Sequence, residues 1–186
     1  MLISKFDNEN VSERISYYED KFSITLPEQY KRFLLKYNGG YTPETKFKSG
    51  KLSSDVRGYY GLGDVKLSVD ALSLGEWIEH SLFPIAYDSF GNYITIGISN
   101  DSYGKVFFQD HELGGRTDLI CDEFNTFIEK CKSDYIDERF KLSIEEREAD
   151  LIARGKGANI SEGLRKMWQA EIDKYADFQQ EEVIID

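Results

Sequence analysis

Ile24-Thr25-Leu26-Pro27-Glu28-Gln29-Tyr30-Lys31-Arg32-Phe33-Leu34-Leu35-Lys36-Tyr37-Asn38-Gly39-Gly40 decides how the rest of the chain is read. Pro27 can open a helix, because the N–H it lacks would have had no intrahelical partner. Tyr30, Phe33, Leu34 and Tyr37 then recur at helical spacing and form one apolar stripe. Asn38-Gly39-Gly40 ends the helix, since glycine takes the left-handed conformation of a C-terminal cap without strain. Just upstream, Val11, Ile15, Tyr18 and Phe22 form a second helical stripe. Asn10 with Glu13 three residues later matches a capping box at its start.

Downstream the period changes. Residues 41–63 are polar and glycine-rich and read as a loop or short strands, and residues 65–79 fit strand or helix equally. Phe83-Pro84-Ile85-Ala86-Tyr87 reads as a strand with proline near its start. Asp88-Ser89-Phe90-Gly91-Asn92 reads as a turn. Tyr93-Ile94-Thr95-Ile96-Gly97-Ile98 has the β-branched alternation of a strand. Asn100-Asp101-Ser102-Tyr103-Gly104 is a second turn, and Lys105-Val106-Phe107-Phe108-Gln109-Asp110-His111 a further strand. Short turns between successive strands predict an antiparallel meander. Phe124, Phe127, Ile128 and Cys131 share a helix face beyond it. The spacing puts Cys121 and Cys131 in one helical stretch, too far apart for a disulfide.

From Ser143 the pattern is helical. Ser143 with Glu146 and Asn159 with Glu162 match capping boxes on either side of the break at Arg154-Gly155-Lys156-Gly157-Ala158. Leu164, Trp168, Ile172 and Tyr175 make an amphipathic stripe. The expected organisation is an α+β domain over residues 1–140, helices on a mostly antiparallel sheet, with a helical hairpin over residues 141–186.

Composition narrows the function classes. The formal net charge is −11, from 34 acidic and 23 basic residues. Such a chain repels phosphate backbones and anionic membrane surfaces, so neither nucleic acid nor membrane is an expected partner. It attracts basic proteins, although acidity also serves solubility alone. Two cysteines and two histidines complete no zinc site, so no metal or cofactor is expected. The first residues lack the apolar run of a signal peptide, which points to the cytoplasm.

The 24–40 stretch resembles the N-terminal signature of the SUKH superfamily (Smi/Knr-like domains): a Leu-Pro, a Tyr and Phe on one helix face, a terminal Asn-Gly-Gly. Phe83-Pro84-Ile85-Ala86, Asp88-Ser89-Phe90-Gly91-Asn92-Tyr93-Ile94 and Gly104-Lys105-Val106-Phe107-Phe108-Gln109-Asp110-His111-Glu112 extend the resemblance over roughly residues 6–140. Gln109 departs from it, since relatives often carry an aromatic or another polar residue there. The resemblance implies an α+β fold and a binding role. Bacterial members resemble immunity proteins encoded beside polymorphic toxins, frequently nucleases, and fungal relatives are regulators of cell-wall synthesis. It implies no shared catalytic mechanism.

Individual residues add candidates. Asp110, His111 and Glu112 combine the groups of acid–base chemistry. Ordinary turn chemistry explains them at less cost, and no nucleophile or orienting partner stands nearby in sequence. His80 reads as a surface residue. Gly155-Lys156-Gly157 lacks the preceding strand of a phosphate loop, and Gly58-x-x-Gly61-x-Gly63 lacks dinucleotide-site spacing. Asp101, Tyr103, Asp110 and Glu112, in or beside the meander turns, are the candidates for partner contact. Tyrosine supplies anchoring area, and carboxylates match a basic surface. The expectation is a non-enzymatic protein that neutralises a basic toxin domain by direct contact. The alternatives are an intracellular scaffold or regulator, and an enzyme built on Asp110, His111 and Glu112.

Overall fold

The computed structural model describes residues 1–7, 9–112, 116–176 and 178–185. The chain runs β1 (Leu2–Lys5), α1 (Val11–Phe22), α2 (Glu28–Tyr37), β2 (Gly40–Ser49), β3 (Leu52–Tyr59), α3 (Leu74–Glu79), β4 (Leu82–Tyr87), β5 (Tyr93–Gly97), β6 (Val106–Asp110), β7 (Arg116–Cys121), α4 (Phe124–Lys130) and β8 (Lys132–Ser133). It continues through α5 (Ile144–Ala153) and α6 (Glu162–Tyr175) and ends in β9 (Glu181–Glu182). Met1–Asp134 and Glu181–Asp186 make one compact unit, and Tyr135–Gln180 a second. The division therefore falls at Asp134 and at Gln180. The last residues return to the sheet of the first unit instead of ending in the helical hairpin.

The strands form one sheet in the order β7-β6-β5-β4-β3-β2-β1-β9, with β8 paired to β2. Every strand pair is antiparallel. The fold is the expected α+β, and the meander is β4–β5–β6, extended by β7. The β2–β3 hairpin decides the loop or short strands read over residues 41–63 in favour of strands. It pairs from Gly40↔Tyr59 to Ser49↔Leu52 across a tight turn at Gly50, whose φ is +61°. Its alternation is real but hidden: Thr45 and Phe47 are buried, while Lys46 and Lys48 between them are exposed.

Period-2 geometry gives the sheet two different faces. Tyr59 meets Phe33 of α2 and Phe127 of α4, and Phe47 meets Phe127 and Phe108, in edge-on and tilted ring contacts, while Phe124 of α4 packs edge-on against Tyr30 and Phe33. Tyr30, Phe33, Leu34 and Tyr37, the α2 stripe, are all 0% exposed. Each such side chain contributes roughly 2 kcal/mol by leaving water. On the opposite face Tyr87 and Tyr93 stand side by side, with Tyr60 against both and Trp77 of α3 against Tyr93.

The Asn-Gly-Gly motif is a packing device. Asn38 caps α2 in the left-handed conformation and is fully buried. Its amide accepts from Leu62 N at 2.9 Å and donates to Asp7 O at 2.7 Å and Leu62 O at 3.2 Å. A Cβ on Gly39 would sit 2.5 Å from Tyr59 O, and one on Gly61 2.2 Å from Asn38 O. Two backbones touch here, which only glycine permits. Gly61 belongs to this packing, and Gly63 packs against the Arg14 guanidinium.

Several local expectations change. Asn10 caps α1 in the left-handed conformation without a side-chain bond, so its capping box does not form. Cys121 ends β7 and Cys131 follows α4, so the two do not share a helix. Both are free and buried. Residues 65–79 hold one 3-10 turn, Val69–Ala71, and α3.

In the second unit the Ser143–Glu146 capping box is complete. Ser161, not Asn159, caps α6, because Asn159 lies in a 3-10 turn. Arg147 is the unit's buried hub. It donates to Glu171 Oε2 at 2.7 Å, Leu142 O at 3.0 Å and Phe140 O at 2.6 Å, with its guanidinium over the Trp168 ring. Gln180 and Ile136 exchange two hydrogen bonds, of 2.6 and 2.8 Å, and join the ends of the unit.

Candidate protein-binding groove

Three segments of the first unit meet in a groove of about 270 Å³: Pro27, Glu28 and Gln29 opening α2, Tyr103 and Gly104 before β6, and Asp122, Glu123 and Phe124 between β7 and α4. Each is held by a specific bond. Tyr103 donates its hydroxyl to Leu26 O at 3.2 Å, tying the β5–β6 turn to the start of α2. Gln29 bridges two helices: its Oε1 accepts from Asn125 N at 3.0 Å and its Nε2 donates to Glu123 Oε2 at 3.3 Å. The bridge serves a need of the backbone, because no side chain of its own caps α4. Gln29 satisfies one of the N–H groups a helix start leaves open.

The lining carries Glu28, Asp122 and Glu123 and no basic residue. Two of these carboxylates belong to helix starts, where negative charge is favoured. Tyr103 is 45% exposed at the groove, with its hydroxyl already bonded, so its ring offers apolar area without a polar penalty. The volume lies below the usual range of small-molecule pockets.

The four sequence-derived contact candidates separate into two pairs. Tyr103 lines the groove, and Asp101 is exposed two residues away in the same turn. Asp110 and Glu112 lie at the other end of β6, Asp110 as its last residue and Glu112 two residues on. There Glu112 N donates to Asp110 Oδ1 at 2.9 Å, and His111 N and Nδ1 meet Asn92 Oδ1 at 3.1 and 2.8 Å. His111 thus shares its bond with an amide. The neighbouring Asp88 is buried and accepts from Ser54 Oγ, Phe90 N, Asn92 N and Asn92 Nδ2, all within 2.7–2.9 Å. The Asp88-to-Asn92 motif thereby builds a turn. Gln109 is buried in a polar row with Thr117 and Thr95. His80 is exposed at the end of α3, and Lys156 lies in the turn between α5 and α6.

Sequence reasoning missed Glu28, Gln29, Asp122 and Glu123 as a group. Their positions were visible as helix starts, but nothing local says that two helix starts and one strand turn converge. Among the described residues no set of three or more His, Cys, Asp or Glu is placed to hold a metal. No helix of those residues is long and apolar enough to cross a membrane.

Burial pushes the Cys121 thiol up to about 11 and the Cys131 thiol up to about 12. Neither supplies a thiolate near neutral pH.

The architecture is thus an antiparallel sheet with α2 and α4 on one face, and its candidate site is an acidic groove at the starts of these two helices. The chain belongs to the SMI1 / KNR4 family (SUKH-1), whose model matches residues 12–130. It is similar to the SPbeta prophage-derived uncharacterized protein YokK of Bacillus subtilis (strain 168), 28% identical over 151 residues, covering 67% of this chain and 76% of the relative. No solved structure matches.

Proposed function

We propose that this protein is a cytoplasmic immunity protein that binds a basic toxin domain and blocks its action without catalysis. The observation that carries the reading is the groove: three carboxylates round a half-exposed tyrosine, with no basic side chain in the lining. Tyrosine is a frequent anchor at interfaces, and carboxylates select lysine and arginine of a partner. The net charge of −11 steers a cationic partner toward the protein and hastens the encounter. Family membership supports a binding role. A prophage-derived relative fits it too.

The test is capture from the source cells with wild type and with Tyr103→Ala/Asp122→Lys/Glu123→Lys as baits, each at low and moderate salt. The reading expects one basic protein that wild type retains more strongly at low salt and the variant loses. That protein should arrest growth when expressed alone and be neutralised by co-expression of the wild type. A partner held equally by the variant removes the groove from the interface. Recovery only of endogenous regulators that do not arrest growth overturns the immunity reading.

A further inference from the structure

We propose that the outer edge of β1 is a strand-docking site, filled in this structure by the chain's own residues 181–185 and taken by an extended partner segment of the same pattern when these leave. The site shares no residue with the groove at α2 and α4. Leu2 and Ile3 pair antiparallel with Glu182 and Glu181. Val183 N donates to Met1 O at 2.9 Å. Beyond the ladder, side chains of α2 read the main chain of the segment. Ile184 N donates to the Tyr37 hydroxyl at 2.9 Å, and that hydroxyl lies 3.3 Å from Glu182 O and Ile184 O, to either of which it donates. Lys36 Nζ donates to Ile184 O at 3.1 Å.

Side chains of the segment alternate as an edge strand requires. Val183 is buried, Glu181 and Ile185 are half-buried, and Glu182 and Ile184 are exposed, Ile184 at 54%. Glu181 meets Lys5 Nζ at 3.0 Å, and Ile185 packs against the core. Main-chain bonds of this kind give affinity for an extended segment, and the inward positions give the choice. The fitting partner thus carries an acid, a β-branched aliphatic residue and a further aliphatic residue at alternate positions. The resident segment is a weak occupant. Two ladder pairs and one buried side chain hold it, so on the order of 1% of molecules are open at any moment. Without it β1 is an unpaired edge, which is a template for another strand. A competing segment binds more weakly in proportion to the open fraction, and loosening the resident segment restores its affinity.

Fluorescence polarisation with a fluorescein-labelled peptide of residues 179–185 tests the proposal on full-length chains: wild type, Val183→Ala and Val183→Asp. The peptide should bind Val183→Ala about tenfold more tightly than wild type, and Val183→Asp more tightly still. The same peptide carrying Val183→Asp should bind none of them. Val183→Ala removes two methyl groups and keeps the test valid where Val183→Asp fails to fold. Equal affinity for wild type and Val183→Ala, binding of the substituted peptide, or no binding to Val183→Ala at about 1 mM overturns the proposal. A wild-type dimer in sedimentation equilibrium at about 1 mM that the peptide dissolves gives the edge to residues 181–185 of a second copy, and overturns the reading of a separate partner.

Discussion

Four buried residues show how single positions carry this fold. Asn38 is satisfied on both amide atoms by three backbone groups. Asn38→Ala should lower unfolding free energy by about 2–4 kcal/mol, measured by urea denaturation, because buried backbone groups are left without partners. Tyr30 is the contrasting case. It is 0% exposed, its hydroxyl has no hydrogen-bond partner, and burial raises its ionisation far above the ordinary phenol range. Tyr30→Phe should therefore be neutral or stabilising by up to about 1 kcal/mol in the same measurement. The cysteines predict an alkaline limit. Their folded values, about 11 and about 12, lie above the ordinary 9.0. Thiols raised in the folded state stabilise fully below the ordinary value, and that contribution is lost as pH climbs through the folded values. Thermal stability should hold to about pH 9 and fall between about 9 and 12, less steeply in Cys131→Ala. An equal slope in that variant would assign the effect to the buried tyrosines.

Among the elements, α2 was legible in full, because stripe, start and stop are local signals that agree. The β2–β3 hairpin was not. One of its faces is lined by lysines and serines, and its polar average conceals the alternation that the sheet uses. β1, β8 and β9 escaped for a related reason: strands of two to four residues have little pattern of their own and exist because a neighbour offers a ladder, while β7 escaped because Arg116, Thr117 and Asp118 at its start carry no apolar alternation. α5 and α6 are joined by two ion pairs, the buried Arg147 to Glu171 and the more exposed Arg165 to Glu148. Arg147→Met should leave Glu171 and two carbonyls without their donor and cost the second unit about 2–3 kcal/mol. Hydrogen exchange should report this as lost protection in α5 and α6, with that of β4–β6 retained. Uniform change in both regions would count against Arg147 as a local hub.

For the molecule as a whole, the return of the chain to the sheet matters most. Glu181 and Glu182 pair with Ile3 and Leu2, Val183 is buried, and Ile184 N donates to the Tyr37 hydroxyl at 2.9 Å. Deleting residues 181–186 should lower Tm by roughly 4–10 °C, the equivalent of about 2–3 kcal/mol in a chain of this size. An unchanged Tm would mean that β9 adds nothing to the first unit. By itself the sequence determined the class of fold, the α2 helix with its Asn-Gly-Gly stop, the meander from β4 to β6, the acid balance and the family resemblance. Each is written in local periodicity, in turn chemistry or in a sum of charges. The tertiary structure alone decided which helix starts meet at the groove, that Asp101 and Tyr103 stand apart from Asp110 and Glu112, and that the last residues complete the sheet. Those are contacts between residues distant in the chain, and they form because packing and ladder hydrogen bonds select one arrangement of elements that no local pattern encodes.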